Sequence, residues 1–204
     1  MFISFEGLDG CGKTTQARLL KERYEADGNK VLLLREPGGT LIGEKIRNIL
    51  LDNSHTRLIP RTEILLFSAA RAQLVDEIIL PALQQGSIVL CDRYVDSTTA
   101  YQGYGRGLQL DAVSFINDFA TEHLLPDITF FIDIPIAETI HRRNTSRLIA
   151  DRMEDAEMSF FQCLYNGFHW LHKKEPQRFI RIDGMKTIED IHAEIWTILQ
   201  KRFA

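Results

Sequence analysis

The sequence is short of cysteine, of long apolar runs and of surplus positive charge, and each shortage closes off a class of function. Its three cysteines, Cys11, Cys91 and Cys163, are an odd number set far apart with no CxxC or Cys/His spacing, so neither a disulfide framework nor a zinc site is expected. No apolar stretch approaches the roughly 18 residues of a membrane span. The start, MFISFEGLDG, has neither the basic n-region nor the long apolar h-region of a signal peptide, so a cytoplasmic protein without a membrane partner is expected. Lys plus Arg number 24 against 28 Asp plus Glu, a net charge of −4 that argues against wrapping on nucleic acid. Internal repeats and low-complexity segments are also missing.

What is present suits an ordinary globular domain. With 45% apolar and 25% charged residues the chain can bury a normal core, and 204 residues fit one α/β domain over 1–204 with at most a small inserted lid. Short apolar runs at Phe2–Glu6, Lys30–Arg35, Ser87–Asp92, Ile128–Asp133 and Arg178–Asp183 read as five strands. Helical patterns fall between them at Lys13–Ala26, Gly43–Leu51, Pro60–Gln85, Asp111–His123, Ala137–Arg143, Glu157–Lys174 and Thr187–Arg202. In the last, Ile188, Ile191, Ile195 and Ile198 recur at three- and four-residue steps and predict one buried stripe. This alternation implies a doubly wound, five-stranded parallel sheet flanked by helices, whose ligands bind beyond the carboxyl ends of the strands.

Gly7-Leu8-Asp9-Gly10-Cys11-Gly12-Lys13-Thr14 fits G-x-x-x-x-G-K-[ST] and lies between a strand and a helix, as a P-loop requires. In such a loop the backbone N–H groups turn inward around phosphate oxygens, and the following helix adds the positive end of its dipole. Lys13 is expected at the β- and γ-phosphates of ATP and the Thr14 hydroxyl on Mg²⁺. Asp92, ending the third strand, is a second metal candidate or simply the cap of the next turn. Asp9 adds a further negative charge near the phosphates, so Mg²⁺ and arginines are needed for charge balance. Arg142, Arg143, Arg147 and Arg152 cluster between two helical segments, either as a solvated surface or as a lid over about 142–153.

Phosphoryl transfer depends on positioning and charge stabilisation, so arginine forks mark the acceptor site. Arg93 at a strand end, with Arg71 and Arg47 on helices, can line one cleft. A phosphate monoester acceptor, largely dianionic at pH 7, needs no general base. A hydroxyl acceptor would need one, and Glu36 is then the candidate.

Glu6-Gly7-Leu8-Asp9-Gly10, Arg35-Glu36-Pro37-Gly38-Gly39-Thr40, Phe67 to Arg71 (FSAAR), Asp92-Arg93-Tyr94, Ala100-Tyr101-Gln102-Gly103, Gly105-Arg106-Gly107 and Asp151-Arg152-Met153-Glu154 appear in the order and spacing of bacterial thymidylate kinases, and the chain resembles that family over nearly its whole length. The resemblance implies a homodimer that transfers phosphate from Mg·ATP to dTMP, giving dTDP on the way to dTTP. By resemblance Phe67 stacks on thymine, Arg71 reads the base with help from Arg47, and Arg93 holds the dTMP phosphate. Tyr101 lies against the deoxyribose, Gln102 and Ser97 touch the base edge and site wall, and Asp9, Glu36 and Pro37 complete the substrate set. The ATP set is Gly7 to Thr14 with Thr15, joined by Arg143. The P-loop position that carries an arginine in some members is Gly10 here, so the catalytic arginine is expected in the lid, at Arg147, beside Lys13 and Arg93 as catalytic residues. Cys11 stands where relatives often have alanine. A cis bond is expected before Pro37. A deoxynucleoside kinase is the nearer rival, disfavoured by FSAAR and AYQG. A nucleotide-operated switch is the farther one, and the chain has no N-K-x-D motif.

Overall fold

The computed structural model describes residues 1–145 and 158–203, apart from the side chains of Arg143 and Asn144. Its five strands are β1 (Phe2–Glu6), β2 (Val31–Arg35), β3 (Ile88–Asp92), β4 (Ile128–Asp133) and β5 (Phe179–Asp183). They form one parallel sheet in the order β2-β3-β1-β4-β5. Side chains alternate across a strand, so one strand feeds two cores. Ile88 and Leu90 of β3 join Ile3, Phe5, Phe130 and Ile132 on one face, while Val89 and Cys91 join Phe2 on the other. The five apolar runs read as strands because both faces of the sheet are covered.

The helices are α1 (Lys13–Ala26), α2 (Leu41–Leu51), α3 (Pro60–Leu74), α4 (Leu80–Gln84), α5 (Val95–Thr98), α6 (Leu110–Thr121), α7 (Ile136–Thr145), α8 (Met158–Lys174) and α9 (Ile188–Phe203). Ala17 and Leu20 of α1 and Ile191, Ile195 and Leu199 of α9 cover the first face, whereas α3 and α8 lie over the second. The stripe expected on α9 is therefore corrected at its start. Ile188 is half exposed, and the buried line runs on through Leu199.

Three further departures have physical causes. The helix expected over 60–85 is divided by a π-helical turn, Val75–Ile79, immediately before Leu80-Pro81. Proline has no N–H and its ring crowds the carbonyl four residues back, so a wider turn relieves the clash. The helix expected to reach His123 ends at Thr121, because Glu122 and His123 both take positive φ, 49° and 62°. Residues 95–105, given no helix by sequence pattern, form α5 followed by a π-helical stretch, Thr99–Gly105. That stretch is held by α8: a Cβ on Gly105 would sit 2.5 Å from the Phe160 ring, so the absence of one lets the two elements approach.

Register aligns the functional ends of the strands. Phe5 of β1 and Arg35 of β2 both pair with Asp92 of β3, so Glu6, Glu36 and Arg93 emerge side by side at one edge. The Glu36–Pro37 bond is cis. No helix among the described residues is long and apolar enough to cross a membrane.

Candidate active site

The loop after β1 is shaped by its glycines. Gly7 has φ 139°, and a Cβ there would lie 2.5 Å from Ile132 O and 2.8 Å from Cys11 Sγ, so no larger residue fits without moving β4. Gly12, at φ 103°, caps α1, and the lysine and threonine that follow open the helix. Lys13 is buried, with Nζ donating to Leu8 O at 2.9 Å and to Gly7 O at 3.2 Å. The loop's own carbonyls thus hold the ammonium at the cradle. Thr14 Oγ1 donates to Asp92 Oδ2, which brings together the two residues expected to bind metal. Both are hard oxygen donors. Among the described residues no group of three His, Cys, Asp or Glu could hold an ion, so these two residues fit a cation that keeps water and phosphate oxygens in its shell, as Mg²⁺ does.

Two cavities adjoin here. The larger, about 780 Å³, is lined by Asp9, Gly10, Gly12, Lys13, Thr14, Thr15 and Asp92, with Arg35 and Glu44 at its side. The smaller, about 190 Å³, is lined by Asp9, Glu36, Pro37, Arg47, Phe67, Arg71, Arg93, Ser97, Tyr101 and Gln102, together with Leu51 and Thr98. Asp9, Glu36, Arg47 and Arg93 belong to both walls. Every residue that the sequence suggested for the acceptor therefore faces one cavity, while Leu51 and Thr98 were missed.

Arg93 joins the two. It follows β3 with φ 71°, an unusual left-handed conformation for a side chain of this size. Its Nη2 reaches Asp9 Oδ1 at 2.5 Å, and its Nη1 reaches Gly7 O at 3.1 Å and Ser97 Oγ at 3.0 Å. Tyr101 donates to the other Asp9 oxygen at 3.0 Å, and the Arg93 guanidinium lies 5.1 Å from its ring centre. Burial pushes the Asp9 carboxyl up, but Arg93 and Lys13 outweigh it and hold the group at about 2. Burial raises the Tyr101 hydroxyl well above its ordinary value, so it remains a donor.

Glu6 is the anchor of this turn and was not singled out by sequence. It is fully buried, accepting from Tyr94 N at 2.7 Å, Ser97 N at 3.2 Å and Ser97 Oγ at 2.6 Å. Burial, with Asp96 adding to it, raises the Glu6 carboxyl to about 7 against the opposing pull of Arg93. Its position at the head of EGLDG was the available signal.

At the far wall, Arg71 is almost wholly buried and spends all its donors on protein. Nε and Nη2 meet Glu36 Oε2 at 2.7 and 2.6 Å, and Nη2 also reaches Tyr94 O at 3.2 Å. Nη1 reaches Thr98 Oγ1 at 3.0 Å and Asn117 Oδ1 at 3.1 Å. Burial raises Glu36 against the pull of Arg71, and its Oε1 has no hydrogen-bond partner. Arg47 Nη1 donates to Pro37 O at 2.8 Å, tying α2 to the cis-proline turn, and Thr40 caps that helix by accepting from Gly43 N at 2.9 Å. Asn117 left one trace in the sequence, a polar residue on the buried face of α6 between Val113 and Ala120.

Arg147 and Arg152 lie outside the described residues, as does most of the lid expected at 142–153, and so does the side chain of Arg143. Arg142, the first arginine of the expected lid, donates from Nε to Glu138 at 2.6 Å and from Nη1 to Gly10 O at 3.1 Å, which places it on the phosphate loop.

The family model described as thymidylate kinase matches residues 5–195. A thymidylate kinase of Caldanaerobacter subterraneus subsp. tengcongensis is 51% identical over 94% of this chain and 90% of its own. One from Thermoanaerobacter sp. strain X514 is 48% identical over 98% and 97%. The crystal structure of thymidylate kinase from Ehrlichia chaffeensis is 39% identical, covers 98% of both chains and superposes with a TM-score of 0.81.

Proposed function

Because the chain belongs to the thymidylate kinase family, we propose that its smaller cavity receives dTMP and the adjoining P-loop cleft receives ATP. The reaction is transfer of the γ-phosphoryl group of ATP to the dTMP phosphate, giving dTDP and ADP. The observation that carries the placement is the shared wall. Asp9, Glu36, Arg47 and Arg93 border both cavities, so an acceptor phosphate beside Arg93 would lie next to the γ-phosphate position without crossing solvent.

Each residue then has work matched to its surroundings. Arg93, already fixed by Asp9 and Gly7 O, presents its guanidinium to the acceptor phosphate without having to be ordered first. The acceptor is itself largely dianionic at pH 7, so it attacks without a general base. Phe67 offers a flat apolar face for thymine, Gln102 and Ser97 offer polar edges, and Tyr101, tied to Asp9, stands against the sugar. Lys13 serves the β- and γ-oxygens, with the loop N–H groups from Gly7 to Thr15 around them, and Arg143 is assigned to ATP on the family resemblance alone. Thr14 and Asp92 would hold a Mg²⁺, which when bound would supply neutralisation of the phosphate charge. Arg147 is assigned to the charge on the phosphoryl group in flight.

The same reading includes a cytoplasmic homodimer. Ile42 and Ile49 on α2, Leu65 on α3 and Phe115 and Phe119 on α6 are large apolar side chains exposed to solvent, on helices of which α3 packs against both others. A second copy would bury them, and sedimentation should return twice the chain mass.

The functional reading is tested by ADP release with thymidine, dTMP, dUMP, dCMP, AMP and GMP as acceptors. One methyl group is worth about 1–3 kcal/mol in a close pocket, so dTMP should exceed dUMP by roughly ten- to two-hundred-fold in kcat/KM. The other monophosphates should fall lower, and thymidine should be inert. Phosphorylation of thymidine, or an AMP rate equal to that of dTMP, would overturn it.

A further inference from the structure

One buried carboxylate behind the acceptor cavity takes no part in the reading above. Glu63 of α3 is 0% exposed and does not line the cavity. Its Oε1 accepts from Gln102 Nε2 at 2.8 Å and from Arg106 Nε at 3.2 Å, and its Oε2 accepts from Arg106 Nη2 at 3.3 Å. Arg106 is in turn held over the Phe160 ring, 4.7 Å from its centre. Gln102 lies in the π-helical stretch that faces the cavity and is itself 1% exposed.

A primary amide has a donor end and an acceptor end, and a neighbour that can only accept decides which way it faces. The Glu63 carboxylate paired with Arg106 is such a neighbour. It takes the Gln102 NH₂ group, and the carbonyl Oε1 becomes the end left for a ligand in the cavity that Gln102 lines. Arg71, on the same cavity wall, has its N–H groups on Glu36, Thr98, Asn117 and Tyr94.

We propose that Glu63, clamped by Arg106, is a positioning residue for pyrimidine choice. It locks the Gln102 amide so that an acceptor faces ring position N3. Thymine and uracil carry N3–H and can donate to that oxygen. Cytosine has a bare N3 lone pair, which would face a carbonyl oxygen and leave two acceptors opposed in a dry site. The proposal rests on the placement of the base beside Gln102 given above.

The test compares kcat/KM for dTMP, dUMP and dCMP in the wild type, Glu63→Gln and Gln102→Leu. Glu63→Gln lets its own amide donate to Gln102, so the Gln102 amide can turn round. The dCMP-to-dUMP ratio should rise at least about tenfold, while the dTMP-to-dUMP ratio, which compares two N3–H bases, stays within about threefold. A merely structural role would lower all three substrates together and leave both ratios unchanged, and that result overturns the proposal. Should Glu63→Gln fail to fold, the double variant Glu63→Leu/Arg106→Leu removes the pair without leaving a buried charge alone. It should show the same rise, and an unchanged ratio in the folded double variant is equally fatal. Gln102→Leu separates the two layers of argument. If it leaves dTMP turnover untouched, the base is not beside Gln102 and the placement itself fails. If it weakens dTMP while Glu63→Gln leaves the dCMP-to-dUMP ratio unchanged, only the role of Glu63 is wrong.

Discussion

On the acceptor side, Arg71 and Glu36 are 2% and 3% exposed and 2.6 Å apart, and Arg93 is 16% exposed and 2.5 Å from Asp9. On the outer wall of the nucleotide cleft, Arg35 and Glu44 are 59% and 43% exposed and 3.4 Å apart. The acceptor cavity is about 190 Å³ and the cleft about 780 Å³. The ion pairs of the acceptor side are thus formed before a ligand enters, at the cost of desolvating them. The donor side offers loop N–H groups and Lys13, with Arg142 donating to Gly10 O. Discrimination belongs where groups are fixed, because an unpaired polar group is costly only when water cannot reach it. Turnover belongs where groups can be brought to the developing charge.

The largest effects should separate these two roles. Arg93→Ala removes the shared fork and strands Asp9, so kcat/KM for dTMP should fall about 10²–10³-fold. Arg147→Ala should cut kcat by a comparable factor with the KM for ATP nearly unchanged if, as proposed, it acts on the transition state alone. Steady-state kinetics in both substrates reads this directly. A wild-type kcat for Arg147→Ala would shift the lid role to Arg143 or Arg152.

Next in size is stability. Arg71→Ala leaves Glu36 buried and alone, which should cost about 3–5 kcal/mol, whereas Arg35→Ala should cost less than about 1 kcal/mol. Denaturant titration of the two variants gives the ranking, and equal losses would erase the proposed contrast.

The smallest effect is in pH. The Glu6 carboxyl, ordinarily near 4.5, is raised to about 7 by burial and by Asp96, so the folded chain holds its proton more tightly than the unfolded chain. Its contribution to stability is complete below about 4.5 and is lost as pH rises through about 7, by no more than about 3 kcal/mol. Relative to Glu6→Gln, the wild type should lose thermal stability between pH 5 and pH 8. Parallel melting curves across that range would show that burial of Glu6 is without consequence.

Much of this molecule could be read from its residues, for a physical reason. Strands buried on both faces must be continuously apolar, so β1 to β5 stood out to within a residue at each end, and the P-loop had both motif and context. The acceptor residues came from family words, and the fold gathered all ten of them around one cavity. Illegible features depend on partners distant in sequence. The π-helical stretch 99–105 has no period of its own and is made by glycine contacts with α8. Glu6, Glu63 and Asn117 act through residues 91, 39 and 46 positions away, and no local pattern announces such pairings.

The claim that the acceptor side is complete in advance is tested most directly by calorimetric titration of dTMP into the enzyme, without nucleotide and again with ADP and Mg²⁺ present. The account predicts one dTMP per chain in both, with Kd values within about threefold of each other, since coupling between a preformed site and its neighbour is small. Binding of dTMP only after ADP and Mg²⁺ are added would contradict it.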